Sequence, residues 1–142
     1  MKGRVHYVSP KGCAEMVAEA IAREIKIVKE PLLPAYMPEN IILMFLGCEG
    51  TKADKTTMEF IRSLNVKRVE NAALFCCNPK KSDAAIQQMA AALKEHGVEV
   101  LPKTFVCNGK GGFLAGGKHP TEEDLAAARA FAVECEKLVL GE

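Results

Sequence analysis

Six consecutive apolar residues, Ile41–Leu46 (IILMFL), constrain this chain more than any other stretch. A strand alternates its side chains between two faces, so a strand with no polar position must be covered on both. That is the situation of a central strand in a parallel sheet sandwiched between helices. The run falls well short of the roughly 20 apolar residues that a membrane span needs.

The flanking sequence supplies the rest of such a sheet. Arg4–Val8 reads as a strand, Ser9–Ala14 as a turn, and Glu15 opens a helix with Met16, Val17, Ala20, Ile21 and Ile25 on one face. Lys26–Val28 is a short second strand, after which Pro31, Pro34 and Pro38 exclude a helix. Beyond Ile41–Leu46 come the loop Gly47-Cys48-Glu49-Gly50-Thr51 and a helix over Thr56–Leu64 with Met58, Ile61 and Leu64 inward. Ala72–Cys77 is the fourth strand, broken at Asn78-Pro79. Ser82 caps a helix with Ala85, Ile86, Met89, Ala92 and Leu93 on one stripe, and Gly97 stops it. Val98–Cys107 is a strand interrupted by Pro102, which places it at a sheet edge. After the glycine-rich loop 108–119, Thr121 and Asp124 form a capping box for a last helix. It runs to about Leu140 and buries Leu125, Ala128, Ala132, Cys135 and Leu138 or Val139.

Strands alternating with helices imply right-handed parallel crossovers. We expect a three-layer α/β/α sandwich with a five-stranded parallel sheet of order 2-1-3-4-5, as one domain over residues 1–142. Its ligand crevice would lie at the switch point between the first and third strands, where the loops Ser9–Ala14 and Gly47–Thr51 meet. A turn that ends a strand and starts a helix points free N–H groups and the positive end of the helix dipole at one spot. Ser9–Ala14 is therefore a candidate phosphate site.

Charge and cysteine usage narrow the function. A formal charge of +1 on 142 residues gives no reason to expect nucleic acid or an anionic membrane as partner. The first residues, MKGRVHYVSPKG, lack the apolar stretch of a signal peptide, so a cytoplasmic protein with reduced thiols is expected. None of the six cysteines forms Cys-x-x-Cys, and none is followed by the Arg of a Cys-x5-Arg phosphatase loop. No strand ends in the acidic residue that a phosphorelay receiver needs. His6, His96 and His119 show no metal-ligand spacing and read as structural. Cys13, Cys48, Cys76, Cys77 and Cys107, however, all fall at or just beyond strand carboxyl ends, which share one edge in a parallel sheet. They read either as small apolar residues or as a thiol or soft-metal site, with Cys13 the best reactive candidate at a helix N-terminus. Adjacent Cys76 and Cys77 must face opposite ways. Gly112 to Lys118 approaches a nucleotide-binding P-loop, but His119 stands where Ser or Thr would hold magnesium.

The stretch YVSPKGCAEMVAEAIA resembles the opening of flavodoxins, where a strand runs into Ser/Thr-x-Thr-Gly-Asn-Thr and a helix. FLGCEGTKADKTTMEFIRSL is similar to their third strand and following loop, and HPTEEDLAAARAFAVECEKL to the last helix of small flavodoxin-like proteins. The resemblance implies FMN and electron transfer with a redox partner protein or flavin-reducing enzyme. Ser9, Pro10, Lys11, Gly12, Cys13 and Ala14 would meet the phosphate. Gly47, Cys48, Glu49, Gly50 and Thr51, with Cys77 and Asn78, would flank the ring, Glu49 supplying a charge near it. Ser9 and Gly12 match the family pattern, whereas Lys11, Cys13 and Ala14 stand in place of Thr, Asn and Thr. No aromatic residue occupies the loops after the third and fourth strands, so a flavin would lie on backbone, on Phe113 or on a partner chain. The alternative is a cofactor-free module of the same fold, acting through a thiol or metal site or as a protein-interaction domain.

Overall fold

The computed structural model describes residues 1–109 and 120–141. Its elements are β1 (Gly3–Tyr7), α1 (Cys13–Ile25), β2 (Val28–Pro31), β3 (Ile41–Glu49) and α2 (Lys55–Arg62). They continue with β4 (Val69–Asn78), α3 (Ala84–Glu95), β5 (Glu99–Val100), β6 (Phe105–Asn108) and α4 (Glu122–Leu140). The sheet runs β2-β1-β3-β4-β5, and β6 also pairs with β4. Every pairing is parallel. This is the expected order, with the fifth strand broken in two. Pro102 lies between its halves and cannot donate to the ladder. The glycine-rich stretch 110–119, including Phe113 and the P-loop-like run, lies outside the described residues.

The apolar run behaves as its composition demands. Leu43 and Phe45 face one side of the sheet, where α1 and α4 cover them, and Met44 and Leu46 face the other, against α2 and α3. Phe131 of α4 meets Phe45 edge-on and stacks on Phe105, with ring centroids 5.7 Å apart in both pairs. The stripe expected on α4 omitted Phe131, and it offered Leu138, which is exposed, beside Val139, which packs against the core. On α1 the alanines Ala14, Ala18 and Ala22 are buried, which lets the helix approach the sheet closely, while Met16 points to solvent. Phe60 of α2 is buried as well, beside the expected Ile61 and Leu64.

Boundaries shift for local reasons. Lys26 does not begin a strand: it caps α1 in the left-handed region at φ 58°, donating its N–H to Ala22. The second strand therefore starts at Val28. Asp54 caps α2 by accepting from the Thr57 N–H at 2.9 Å, so that helix starts at Lys55. Asp83 is the N-cap residue of α3, but the Ser82 hydroxyl still accepts the Ala84 N–H at 3.2 Å. The capping box of Thr121 and Asp124 forms as expected. None of the helices among the described residues is long and apolar enough to cross a membrane.

Candidate functional site

The carboxyl ends of β1, β3, β4 and β6 converge with the N-terminus of α1. The turn after β1 closes through the Gly12 N–H on the Ser9 carbonyl at 3.2 Å. Gly12 sits at φ 90°, a left-handed conformation that residues with a side chain rarely adopt. That geometry turns the Lys11 and Ala14 N–H groups and the Ser9 hydroxyl toward one point.

An anion already occupies the point. Glu49 Oε2 accepts from Ser9 Oγ at 2.6 Å and from the Ala14 N–H at 3.0 Å, and Oε1 accepts from the Lys11 N–H at 2.8 Å. The Ser9 oxygen in turn accepts the Glu15 N–H at 2.9 Å. Charge-assisted bonds of this kind are the strong ones, and the positive end of α1 adds to them. The sequence suggests Glu49 as a charge near a flavin ring. Its carboxylate is bound by the 9–14 turn, the candidate phosphate site, while the residue also lines the pocket above Cys13. The signal was available, because an acidic residue two positions beyond Gly47 projects from the same strand face toward an N–H-rich turn.

Gly47 and Cys48 belong to β3 itself and not to a loop. Gly47 faces the α1 side, and a Cβ there would fall 2.1 Å from the Phe75 ring. Cys48 faces the other way, next to Cys76 in register. Burial pushes these two thiols up, Cys48 to about 12 and Cys76 to about 11, so both stay protonated.

The other three strand-end cysteines gather on the α1 face. Cys77 of β4 is in register with Cys107 of β6, and Cys13, the first residue of α1, joins them. The three sulfurs lie within 4.8 Å of one another, all buried. Hydrogen bonds from the Cys107 and Cys77 thiols hold the Cys13 thiol far below its usual range, at about 4, against the opposing effect of burial. The same interactions, with Cys107 first, push Cys77 up. Cys76 and Cys77 do face opposite ways, and Cys135 stands apart in the core with its thiol raised to about 12 by burial.

A pocket of about 150 Å³ opens above the triad, lined by Pro10, Lys11, Cys13, Glu49, Gly50, Cys77, Asn78, Pro79 and Gly109. Seven of the residues expected at the site therefore meet there. Ser9, Gly12 and Ala14 form the adjoining turn, and Gly47, Cys48 and Thr51 are not among the described residues that line the pocket. Asn78 spends its side chain on its own turn, donating to the Ser82 carbonyl at 2.8 Å and accepting from the Ser82 N–H at 2.9 Å. The described lining contains no aromatic ring. Tyr7 donates its hydroxyl to Glu15 at 3.1 Å, and Tyr36 packs against His6 and Phe60 on the opposite face of the sheet.

Comparison with solved structures decides the architecture. A flavodoxin from the domain Archaea superposes with a TM-score of 0.77 at 20% identity, covering 98% of this chain and 99% of that one. The fold is flavodoxin-like. Oxidised flavodoxin 2 from Bacillus cereus gives a TM-score of 0.72 at 16% identity, covering 96% of this flavodoxin-like chain and 99% of the other. The flavodoxin of Streptococcus pneumoniae TIGR4 gives 0.69 at 13% identity, covering 94% and 97%. No protein-family model matches the sequence, and no curated protein matches it either.

FMN would meet different conditions at the two ends of this site. At the phosphate end the donors fit: a hydroxyl and two N–H groups converge on an anion at a helix N-terminus. At the ring end the described pocket is smaller than the roughly 300 Å³ at which small-molecule sites begin. The Glu49 carboxylate fills the point that a phosphate would take.

Proposed function

We propose that this chain is a flavodoxin-like electron carrier in which the 9–14 turn takes the phosphate of FMN in exchange for the Glu49 carboxylate. The reading rests on one observation: the Ser9 hydroxyl and the Lys11 and Ala14 N–H groups already converge on an anion. Ser9, Lys11 and Ala14 would hold the phosphate, and the Glu49–Gly50 and Cys77–Asn78 segments would flank the ring. FMN, when bound, supplies the one-electron chemistry, and a redox partner protein or flavin-reducing enzyme would exchange electrons with it. The chain's own part is to bind, to orient and to set local charge. Release of Glu49 would accompany binding: the Ser9, Lys11 and Ala14 donors that hold its carboxylate would hold the phosphate in its place.

Titration of FMN fluorescence tests this. The Glu49→Ala variant should bind FMN more tightly than the wild type, because the competing carboxylate is gone, and Ser9→Ala should bind it more weakly. If neither the wild type nor Glu49→Ala quenches added FMN, the flavin reading fails and the fold stands.

A further inference from the structure

The sulfurs of Cys13, Cys77 and Cys107 form a cluster that the phosphate cradle does not use. They come from three separate elements: the first turn of α1 and the ends of two neighbouring strands. Cys77 and Cys107 share a face because they are register partners. Cys13 is delivered onto them by the turn that follows β1. All three are buried, and their sulfurs lie within 4.8 Å of one another. The hydrogen-bond acceptor that Cys13 and Cys107 have in common is the Asn108 carbonyl, 4.0 Å and 3.5 Å away, so these are long, weak contacts.

We propose that this triad is a binding site for a single soft d¹⁰ cation, Cu(I) in the first place, held by three thiolates. A metal–sulfur bond is about 2.3 Å, so three sulfurs around one ion in a plane stand about 4.0 Å apart by simple trigonometry. Three sulfurs that all lie within 4.8 Å of one another are within reach of that spacing. Soft thiolate sets select Cu(I) and Zn(II) over harder ions. Zn(II) prefers four ligands, and the described residues bring three to this point. A zinc ion would take its fourth donor from the pocket above, onto which Cys13 and Cys77 open. The same pocket is the route by which an ion enters. Cys48 and Cys76, also register partners, lack a third sulfur because α1 lies on the other face, so they form no such site.

The site binds through sulfur atoms and not the cradle donors, although it opens onto the pocket that the flavin reading gives to the ring. The full chain, reduced and stripped of metal under anaerobic conditions, should be titrated with Cu(I) supplied as its acetonitrile complex. Zn(II) chloride serves in a parallel series. The expected result is one ion retained per chain, with three sulfur neighbours by X-ray absorption. Cu(I) should show no further ligand, whereas Zn(II) should show one additional light donor. Each of Cys13→Ser, Cys77→Ser and Cys107→Ser should lose that ion, while Cys48→Ser and Cys76→Ser keep it, with thermal unfolding confirming that each variant is folded. Fewer than three sulfurs around the ion in the wild type would overturn the proposal without recourse to any variant. So would retention of the ion by Cys107→Ser, or a disulfide among these thiols on mild oxidation in protein that takes up no ion. The metal titration is read on flavin-free protein and FMN quenching on metal-free protein, so failure of one reading is distinguishable from failure of the other.

Discussion

The two faces of the sheet carry nearly the same cysteines to very different ends. On one face Cys48 and Cys76 sit side by side across β3 and β4, with thiols kept protonated by burial. On the other, Cys77 and Cys107 sit side by side across β4 and β6, and Cys13 descends on them from α1. The residue type, the strand end and the burial are shared. The difference is one helix N-terminus, which brings a third sulfur and leaves a pocket above it. A pair of buried thiols is packing, whereas a third within reach makes a constellation that can hold a charge or an ion.

The comparison can be broken by filling the space beside it. Gly47 lies on the triad face, where the Phe75 ring occupies the place of a side chain. Gly47→Ala should destabilise the protein by about 1–3 kcal/mol, as overpacking of a close-packed core does, and shift the approach of Glu49 to its cradle. Chemical denaturation measures the first, and FMN titration of the same variant the second. An unchanged midpoint would show that Phe75 moves aside freely.

A smaller effect sharpens the contrast. Cys76→Ala removes one buried sulfur from the packed pair and should cost about 1 kcal/mol, at the low end for core truncation, while thiol reactivity at Cys13 stays as in the wild type. Changed alkylation of Cys13 in that variant would mean that the two faces communicate through β4.

The smallest effect is a pH slope, again on the packed face. His6 is buried beneath Tyr36, its Nδ1 donating to the Glu30 carbonyl at 3.2 Å and its Nε2 without a partner among the described residues. Burial lowers its pKa from 6.5, with the Glu30 hydrogen bond and charge opposing and Arg4 assisting. The unfolded chain therefore binds the proton more readily than the folded one. Stability from neutral His6 is fully present above about pH 6.5 and declines as pH falls through the unfolded value toward the lower folded one. His6→Leu should flatten the stability profile below about pH 6.5, read by urea unfolding at a series of acidic pH values. An unaltered slope would assign acid sensitivity elsewhere.

Much of the fold was legible in the linear sequence because its signals are local. Ile41–Leu46 announces a strand covered on both faces, Thr121 and Asp124 announce a helix start, and Pro102 announces a broken edge. Each acts over a few residues through sterics, capping or solvation. The parity rule separated Cys76 from Cys77 for the same reason, since alternation is a property of one strand. Two things escaped. The sequence showed five cysteines near one edge but not that three form a cluster and two a pair. It showed Glu49 in a switch-point loop but not that its carboxylate fills the opposing turn. Both depend on register between strands and on the docking of α1, which are set by packing between residues 28 to 94 positions apart. Local chemistry determined which segments become strands, helices and caps. Only the tertiary structure decided which side chains share a face and meet, because the free energy of those meetings exists only once the sheet has closed.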